Sequence, residues 1–457
     1  MKESAVTLVL DIGKTNAKVL VLSKRGAILE SRKTDSPAKP GPPFPHLDAP
    51  AVWGWLVEEI ASLAGEHRIE AAVATTHGCA AALVDDSDLV LPIMDYEAEV
   101  PEDIRREFEP LIPAFRETQT PDLPQGLNLA RQLFWQQRAF PEEFARTCNI
   151  LTYPQYWAWR LSGAVVSEVT SVGCHTHLWY PGQRRFTDLV DRQGWRARFP
   201  PMRAAFESLG RVSAEVAAVT GLPPECVVYT GIHDSNSNFA LYLRGYRKPF
   251  SLVSTGTWIV IMSPRMPLDA LDPERDTMAM VDVEGNPLPT ARYMGGRDFD
   301  LLTGGGGDGT EFGGSDLLRV LEQRSFVLPS LTPGGPFMGR ESRTLGPEPK
   351  RGAETAARAT LYVALMTVVS CRLIRTDGDL IIDGGFANNA WYCRLVAGLL
   401  DHERCFVNRD TQGTAIGAGM LASWDLPASE WPLQLEEIEP FKHAELDRYE
   451  REWEAAL

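Results

Sequence analysis

The stretch Val6-Thr7-Leu8-Val9-Leu10-Asp11-Ile12-Gly13-Lys14-Thr15-Asn16-Ala17-Lys18-Val19-Leu20-Val21-Leu22 decides how this chain folds. An apolar run ends close to the acid Asp11, a short polar turn follows, and a second apolar run begins. Two apolar runs around a Gly/Asn turn predict a β-hairpin. The turn also suits a phosphate held against backbone N–H groups, with the acid beside a Mg²⁺ ion. An ordinary hairpin with a polar turn explains these residues equally well at this point.

Size and composition restrict the class of protein. The chain has 457 residues, which suggests about three domains or two large ones. Hydrophobic residues make up 44% and charged residues 23%, the balance of a globular protein with a sizeable core. The net charge of −16 is spread along the chain and argues against a nucleic-acid partner, which would require a basic surface.

Cysteine usage and the apolar stretches predict a cytoplasmic protein with no membrane partner. The seven cysteines are scattered, odd in number and without CxxC spacing, as in a reduced compartment. The first apolar run is interrupted at Asp11, so it does not resemble a signal peptide. The longest apolar stretch, 361–371, is too short to span a bilayer and is followed by Arg372.

A second strand–turn–strand pattern occurs at residues 251–262, Ser-Leu-Val-Ser-Thr-Gly-Thr-Trp-Ile-Val-Ile-Met. It repeats the first pattern about 240 residues later, which is a weak internal repeat. The repeat predicts two domains, 1–245 and 246–457.

Three further segments complete a set of parts that suits phosphoryl transfer. An acid follows a glycine in Gly-Ile-His-Asp (231–234), a strand meets a helix through Gly-Gly at 384–385, and a small-residue helix at 414–422 can pack very closely. A long helix is predicted at 354–376. Two turns would clamp phosphates, one acid would hold a metal, and another would take a proton from an attacking hydroxyl.

Two common nucleotide motifs are missing from the sequence. It has no Walker A motif, and no G-x-G-x-x-G lies at a strand-to-helix turn. The loop 304–307 resembles such a motif only in glycine content. A plain flexible loop is favoured there over the nucleotide loop of a dehydrogenase.

The order of five motifs resembles the FGGY family of carbohydrate kinases, and most closely its rhamnulokinase branch. The motifs are Asp-Ile-Gly-Lys-Thr (11–15), Gly-Ile-His-Asp (231–234), Ser-Thr-Gly-Thr-Trp (254–258), Asp-Gly-Gly-Phe-Ala-Asn (383–388) and Ala-Ile-Gly-Ala-Gly (415–419). The resemblance implies an α/β fold of two ribonuclease-H-like (actin/hexokinase-type) domains with a central cleft. It further implies that the N-terminal domain binds sugar and the C-terminal domain binds ATP.

The resemblance also implies a role for each motif residue. Asp234 would be the general base, although it could instead cap the following helix. Asp11 would hold Mg²⁺, although it could simply cap the turn. The residues expected on the sugar are His77, Gly78, Asp95, His233, Asp234 and Ser235. The residues expected on ATP are Gly13, Lys14, Thr15, Asn16, Lys18, Gly256, Thr257, Gly384, Gly385 and Asn388.

Three positions keep open alternatives. Lys14 stands where the family usually has a small residue, so it either contacts phosphate or points elsewhere. His77 is as compatible with a structural role as with sugar binding. The run Cys174-His175-Thr176-His177 has no second ligand cluster nearby in sequence, which argues against zinc.

The predicted function is therefore ATP- and Mg²⁺-dependent phosphorylation of a primary hydroxyl on a ketose such as L-rhamnulose or L-fuculose. A ketopentose (xylulose or ribulose), glycerol or another polyol is the alternative acceptor. From a different class, a nucleotide-dependent sensor or binding protein on the same fold is also compatible. The expected partner is a small-molecule sugar, and the expected state is a monomer or homodimer.

Overall fold

The computed structural model describes residues 5–305, 311–410 and 412–457, which form two compact units. The first unit comprises the described parts of Met1–Arg247, Ala279–Pro287 and Gln412–Leu433. The second comprises those of Lys248–Met278, Leu288–Thr411 and Gln434–Leu457. Each unit consists of residues that contact one another, and the first unit includes segments that follow residue 247 in the chain. The domain boundary between residues 245 and 246 therefore stays a prediction.

The strands up to residue 233 all belong to the first unit. They are β1 (Val6–Ile12), β2 (Asn16–Ser23), β3 (Ile28–Asp35), β4 (Ile69–Thr76), β5 (Ala81–Val84), β6 (Asn149–Thr152), β7 (Ser167–Glu168), β8 (Trp179–Tyr180), β9 (Arg185–Phe186), β10 (Met202–Arg203), β11 (Ser208–Arg211), β12 (Val227–Tyr229) and β13 (Ile232–His233). The later strands are β14 (Phe250–Thr255), β15 (Ile259–Met262), β16 (Thr277–Val281), β17 (Pro287–Tyr293), β18 (Phe326–Leu328), β19 (Arg343–Leu345), β20 (Asp379–Gly384), β21 (Cys405–Asn408) and β22 (Leu435–Glu437).

The predicted opening hairpin is confirmed and lies in the middle of the first sheet. The strand order is β11-β12-β4-β1-β2-β3, and β13 also pairs with β4. β1 runs antiparallel to β2 and parallel to β4. Residues 6–10 are all buried, as expected of a strand covered on both faces.

The second predicted hairpin is confirmed in the second unit and has the same plan. Its sheet includes the order β17-β15-β14-β20-β21-β22. β14 runs antiparallel to β15, with Ser254 opposite Val260, and parallel to β20. Each unit thus centres on a hairpin whose first strand has a parallel partner from later in the chain.

The helices pack around these sheets. They include the two helices that the sequence predicted, at 354–376 and at 414–422. They are α1 (Ala49–Glu66), α2 (Glu102–Phe108), α3 (Phe115–Thr118), α4 (Leu129–Ala139), α5 (Pro141–Arg146), α6 (Tyr153–Ser162), α7 (Val169–Val172), α8 (Asp188–Arg192), α9 (Ala214–Thr220), α10 (Asp234–Gly245), α11 (Gly295–Thr303), α12 (Gly314–Gln323), α13 (Gly352–Leu373), α14 (Ala390–Leu399), α15 (Gly413–Met420) and α16 (Ala444–Ala456).

Two of these helices bear on the sequence predictions. By length and composition α13 could cross a membrane, but 83% of its apolar window is buried, as in a core helix. α15 packs on α10 so closely that a Cβ on Gly417 would lie 2.0 Å from the Ser237 carbonyl oxygen. The expected close packing of the small-residue helix is therefore confirmed.

The glycine loop after α11 is only partly within the described residues. α11 ends at Gly304, whose φ of +73° is the left-handed conformation that glycine adopts at helix ends. Gly306 and Gly307 lie outside the described residues, so the role of that loop stays open.

Candidate active site

The carboxyl ends of three strands meet at one edge of the first sheet. β1 and β13 both run parallel to β4, and the last residue of each pairs with Thr76. Because parallel strands end at the same edge, this register brings Asp11, His77 and Asp234 together. The sequence places these three residues far apart, so sheet pairing alone assembles them.

Asp234 is the first residue of helix α10, and only one of its two carboxylate oxygens, Oδ1, accepts hydrogen bonds from the described residues. Its Oδ1 accepts hydrogen bonds from the Ser235 backbone N–H at 2.6 Å and from the Ser235 hydroxyl at 3.3 Å. Among the described residues, nothing donates to Oδ2, and the side chain is 33% exposed. Asp234 is the first residue of α10 and not its N-cap, and no described side chain caps this helix, so the alternative capping role is not formed. Its contact with Ser235 leaves the other carboxylate oxygen free to accept a proton.

His233 holds the Asp234 carboxylate from the buried side. The Nδ1 of His233 lies 2.7 Å from Asn236 Oδ1, while the Asn236 amide nitrogen donates to the Val281 carbonyl oxygen. The amide oxygen therefore accepts from Nδ1–H. Nε2 lies 3.2 Å from Asp234 Oδ1 and 3.4 Å from the Cys174 sulfur. Since a carboxylate only accepts, this geometry favours a second proton on Nε2.

The electrostatics of His233 agree with that geometry. Burial by itself lowers its pKa, but Cys174, Asp234 and Asn236 outweigh burial and raise the pKa to about 9. His233 is then an imidazolium beside the Asp234 carboxylate.

Two glycines create the room for this pair. A Cβ on Gly78 would lie 2.8 Å from His233 Nε2 and 3.0 Å from the Cys174 sulfur. A Cβ on Gly231, which has a φ of +82°, would lie 2.6 Å from the Ala74 carbonyl oxygen. Gly78 therefore admits the His233 ring next to β4.

Asp11 and Lys18 form the other half of this edge. Lys18 is opposite Asp11 in the hairpin, with its Nζ 3.5 Å from Asp11 Oδ2. Burial raises the pKa of Asp11, Lys18 opposes the rise, and the charge of Asp234 adds to it. A divalent cation would favour the charged form of Asp11, and carboxylate oxygens are the ligands that Mg²⁺ takes. The donor set therefore fits magnesium.

The predicted turn residues differ in what they contact. The Gly13 N–H donates to the Asn16 carbonyl oxygen at 2.9 Å and closes the turn. The Asn16 amide donates to the exposed Thr15 hydroxyl at 2.8 Å. Lys14 forms an ion pair with Asp95, so its ammonium reaches toward the predicted sugar residues.

His77 lies between two aromatic rings and has one unpartnered nitrogen. Its ring centroid is 5.4 Å from that of Tyr96 and 5.1 Å from that of Tyr153. Nδ1 lies 2.9 Å from the Gly78 carbonyl oxygen, and buried Nε2 has no hydrogen-bond partner among the described residues. Burial lowers the pKa of His77 and favours the neutral ring.

The Cys174–His177 run does not converge on one point. His175 Nδ1 lies 2.9 Å from the Cys79 sulfur, whereas His177 Nε2 lies 3.3 Å from the Thr120 carbonyl oxygen. Within the described ranges, Glu30, Glu66 and His67 are close enough to share an ion, but Arg32 already binds both glutamates. We assign no metal to either cluster.

The second unit contains a groove of about 720 Å³ beside the second hairpin turn. Four predicted ATP residues line it, namely Gly256, Thr257, Gly385 and Asn388. Residues that the sequence reasoning missed also line it, namely Gly296, Arg297, Phe299, Asp300, Glu311, Phe312, Ala356, Phe386, Asn389, Ala390 and Trp391. The pair Gly295-Gly296, which follows β17 after Met294, was the sequence signal that could have indicated some of these groove residues.

Backbone packing shapes the floor of the groove. The Thr255 hydroxyl donates to the Asp383 carbonyl oxygen at 2.6 Å and accepts from the Phe386 N–H at 2.9 Å. Gly384 lies directly below the turn, where a Cβ would be 2.0 Å from the Thr255 carbonyl oxygen. A Cβ on Gly296 would be 2.3 Å from the Gly256 carbonyl oxygen. The turn thus offers backbone groups at close range, as a phosphate site requires.

The far part of the groove is aromatic. The rings of Phe312 and Trp391 lie 6.2 Å apart at 24°, and those of Phe299 and Phe386 meet edge to face at 5.4 Å. A flat heteroaromatic base has the shape and polarity to bind such a surface. The groove therefore fits a nucleotide, with its phosphates toward the glycine turn.

Comparison with known sequences matches both halves of the chain. The profile described as "FGGY family of carbohydrate kinases, N-terminal domain" matches residues 6–240, and "Carbohydrate kinase FGGY, C-terminal domain" matches residues 247–430. L-fuculokinase of Escherichia coli (strain K12) is 26% identical over 272 residues, which are 57% of each chain. The match with the curated relatives thus spans little more than half of their length.

Solved structures match over nearly the whole chain. A carbohydrate kinase from Novosphingobium aromaticivorans is 33% identical with a TM-score of 0.89, covering 100% of this chain and 99% of that one. The xylulose kinase of Lactobacillus acidophilus, at 15% identity and a TM-score of 0.81, covers 99% and 97% and is similar in fold alone. The predicted two-domain actin/hexokinase-type fold is confirmed by these likenesses.

Proposed function

This chain belongs to the FGGY family of carbohydrate kinases, and from that premise we propose that it phosphorylates a sugar with ATP as the phosphoryl donor and Mg²⁺ as the cofactor. The acceptor we propose is a ketose such as L-fuculose or L-rhamnulose. The similarity to L-fuculokinases supports a ketose, and the branch resembling rhamnulokinases stays a prediction. The observation that carries the proposal is the Asp234 carboxylate, held by His233 at 3.2 Å with its second oxygen available.

Asp234 is the group we assign as general base. Its free oxygen accepts the proton of a primary hydroxyl while that hydroxyl oxygen attacks the γ-phosphorus of ATP. The bond from the γ-phosphorus to the β–γ bridging oxygen breaks, and ADP leaves. His233 holds the carboxylate in position for this step, with its Nε2 3.2 Å from Asp234 Oδ1.

The residues around the base would orient the acceptor. Nothing in the described part of the chain donates to the buried His77 Nε2, so a sugar hydroxyl that donates to it would satisfy it. Gly78, Ser235 and Asp95 complete the acceptor side that we propose.

The nucleotide groove and the metal site supply the other substrate. In the second unit, Gly256, Thr257, Gly384, Gly385 and Asn388 would hold ATP through backbone groups and hydroxyls. On the first unit, Gly13, Thr15, Asn16 and Lys18 would meet the terminal phosphates, whereas Lys14 is paired with Asp95. Asp11 would hold Mg²⁺, which supplies charge neutralisation on the phosphates when bound.

An acceptor panel tests the proposal directly. ADP formation is measured by a coupled assay with L-fuculose, L-rhamnulose, D-xylulose, D-ribulose and glycerol as acceptors. We expect one ketose to stimulate ADP formation strongly over the sugar-free rate. Absence of stimulation by every acceptor would reject the kinase and favour the nucleotide-dependent binding protein.

The variant Asp234→Asn tests the assignment of the base. Loss of a general base costs about 10² to 10⁴-fold in kcat, whereas ADP affinity measured by calorimetry should stay within about twofold. Ser235→Ala is the matched variant, because it removes only a hydroxyl that donates to the same carboxylate, and we expect a far smaller loss. Sugar-dependent turnover that survives in Asp234→Asn would exclude Asp234 as the base.

A further inference from the structure

We propose that Lys14 determines acceptor specificity: its ammonium holds the segment 95–97 against His77 and, with the acids there, makes the pocket select an uncharged polyhydroxy acceptor over a sugar acid. This inference rests on the proposed function. It concerns the one turn residue that the family pattern does not explain.

Lys14 is bound entirely by one short segment. Its Nζ forms an ion pair with Asp95 Oδ1, lies 3.6 Å from Glu97 Oε2, and lies 4.7 Å from the centroid of the Tyr96 ring. The Asp95 side chain is 7% exposed and that of Lys14 is 19% exposed. The ammonium is mostly buried and already contacts two carboxylates and an aromatic ring. It therefore has few donor positions free for a phosphate.

The segment that Lys14 holds forms one wall around His77. The Tyr96 ring packs edge to face on the His77 ring, with centroids 5.4 Å apart. Asp95 Oδ1 also accepts from the Glu97 N–H at 3.0 Å, and the Asp95 N–H donates to the Pro45 carbonyl oxygen at 2.9 Å. Removal of Lys14 would leave Asp95 buried and unpaired, so the wall would move.

The free nitrogen of His77 defines what the acceptor must offer. Nδ1 faces the Gly78 carbonyl oxygen and therefore carries the proton, which leaves Nε2 as an acceptor. Nε2 is buried without a partner among the described residues, so a bound molecule that donates there is favoured. A hydroxyl placed at Nε2 donates, whereas a carboxylate at that position cannot, so the carboxylate of a sugar acid would have to lie elsewhere, near the acids of the same wall.

The charge around this wall also opposes an anion. Among the described residues, Lys14 pairs with Asp95 and Glu97 and the His233 imidazolium pairs with Asp234, so two cations meet three carboxylates and the net charge is negative. Burial raises the pKa of the Tyr96 phenol, and the charges of Glu97, Asp234 and Asp95 raise it further. A carboxylate on the acceptor would enter a field that is already negative, at a cost that grows with desolvation.

Lys18 provides the contrast within the same hairpin. Its Nζ lies 3.5 Å from Asp11, toward the metal and phosphate residues. Lys14 and Lys18 are four residues apart, yet their ammonium groups contact different acids. The hairpin thus directs one lysine to each substrate.

The test compares Lys14→Met with Lys14→Arg and with Lys24→Met, a control at an exposed lysine of the same strand region. KM and kcat are measured for the best ketose, and the affinity for ADP is measured by calorimetry. For Lys14→Met we expect acceptor KM to rise at least tenfold while the Kd of ADP stays within twofold. Lys14→Arg should recover most of the acceptor KM because it keeps the cation. An ADP Kd that rises tenfold with unchanged acceptor KM would overturn the proposal.

A second variant separates specificity from folding. Glu97 is 57% exposed, so Glu97→Gln should fold normally and remove one negative charge. We expect its ratio of kcat/KM for D-gluconate over the ketose to rise severalfold above that of the wild-type protein. Wild-type protein that phosphorylates D-gluconate as efficiently as the ketose would overturn this inference and leave the kinase proposal intact. Wild-type protein that phosphorylates no acceptor would overturn both.

Discussion

The hairpins β1–β2 and β14–β15 have one backbone plan and two different chemistries. Each pairs antiparallel within itself and parallel with a later strand, and each turn is closed by a glycine N–H that donates at 2.9 Å. The first turn carries charged side chains, Asp11, Lys14 and Lys18, each with an ionic partner. The second carries no such charge between Thr255 and Trp258. It depends on the close approach of Gly384 and Gly296.

The two turns thus present different chemical groups on the same backbone plan, side chains in the first and backbone groups in the second. The first turn acts through side chains that reach out from it, so a substitution there changes chemistry more than shape. The second acts through backbone groups that only glycine leaves accessible, so a substitution there changes shape first. Variants at equivalent positions of the two hairpins should therefore fail in different ways.

The largest effect is expected from Asp11→Asn in the first turn. Losing the buried carboxylate should lower the sugar-dependent rate on the order of 10²-fold at limiting Mg²⁺ and raise the Mg²⁺ concentration for half-maximal rate. Thr257→Ala in the second turn should instead raise the KM of ATP with an unchanged Mg²⁺ optimum. Measuring rate against Mg²⁺ for both variants checks this. Equal Mg²⁺ curves for Asp11→Asn and the wild-type protein would contradict the metal assignment.

The next effect is expected from Gly384→Ala below the second turn. Gly384 has a φ of +91°, and its new Cβ would lie 2.0 Å from the Thr255 carbonyl oxygen, so we expect destabilisation of about 2–4 kcal/mol and weaker ADP binding. Gly256→Ala is the matched control, because its Cβ would meet the Trp258 carbonyl oxygen only at 3.7 Å; it should cost less than about 1 kcal/mol. Urea denaturation and calorimetry measure both, and equal losses would contradict the role of backbone approach.

A smaller effect is expected in how folding stability depends on pH, through His233 in the first unit. Because the pKa of His233 is raised to about 9, its contribution to folding stability is complete below about pH 6.5 and is lost as pH rises through about 9. Relative to His233→Gln, the wild-type protein should lose about 3 kcal/mol across that range. Denaturation at pH 6, 8 and 10 measures it, with His67→Gln as a control at a less buried histidine of the same unit. A constant difference would exclude the imidazolium.

The smallest effect concerns His177, a buried histidine of the first unit. Burial lowers its pKa to about 4, so the native state excludes a proton that the unfolded chain binds. Stability is therefore complete above about pH 6.5 and falls as pH drops toward 4, by about 1 kcal/mol at pH 5.5. His177→Asn accepts the observed φ of 63° and should remove this loss. Parallel acid curves for the two proteins would contradict the prediction.

Much of the fold was predictable because its signals are local. Both hairpins, the helix α13 and the close-packed helix α15 follow from patterns within about 20 residues. The hydrogen bonds of a hairpin or a helix join residues that are close in sequence. The groove residues Gly256, Thr257, Gly385 and Asn388, which we propose bind ATP, were predictable only through the order of motifs. The missed groove residues, such as Gly296 and Trp391, come from other elements that pack beside the turn.

The contacts of the charged side chains were not predictable from the sequence. Lys14 and Asp95 are 81 residues apart, and His233 and Cys174 are 59 apart. Their meeting depends on the register of β1, β4 and β13, which a shift of one residue would undo. Helix α15 belongs to the first unit although it lies far along the chain, because Gly417 lets it pack on α10.

By itself the sequence determined the two hairpins, the motif order and the family, since apolar periodicity and turn residues act on their immediate neighbours. Only the tertiary structure decided that Lys14 joins Asp95, and that His233 connects Asn236 to the Asp234 carboxylate. The physical reason is that an ion pair between distant residues forms only where sheet register and burial bring both charges together. Composition and spacing contain no information about that encounter.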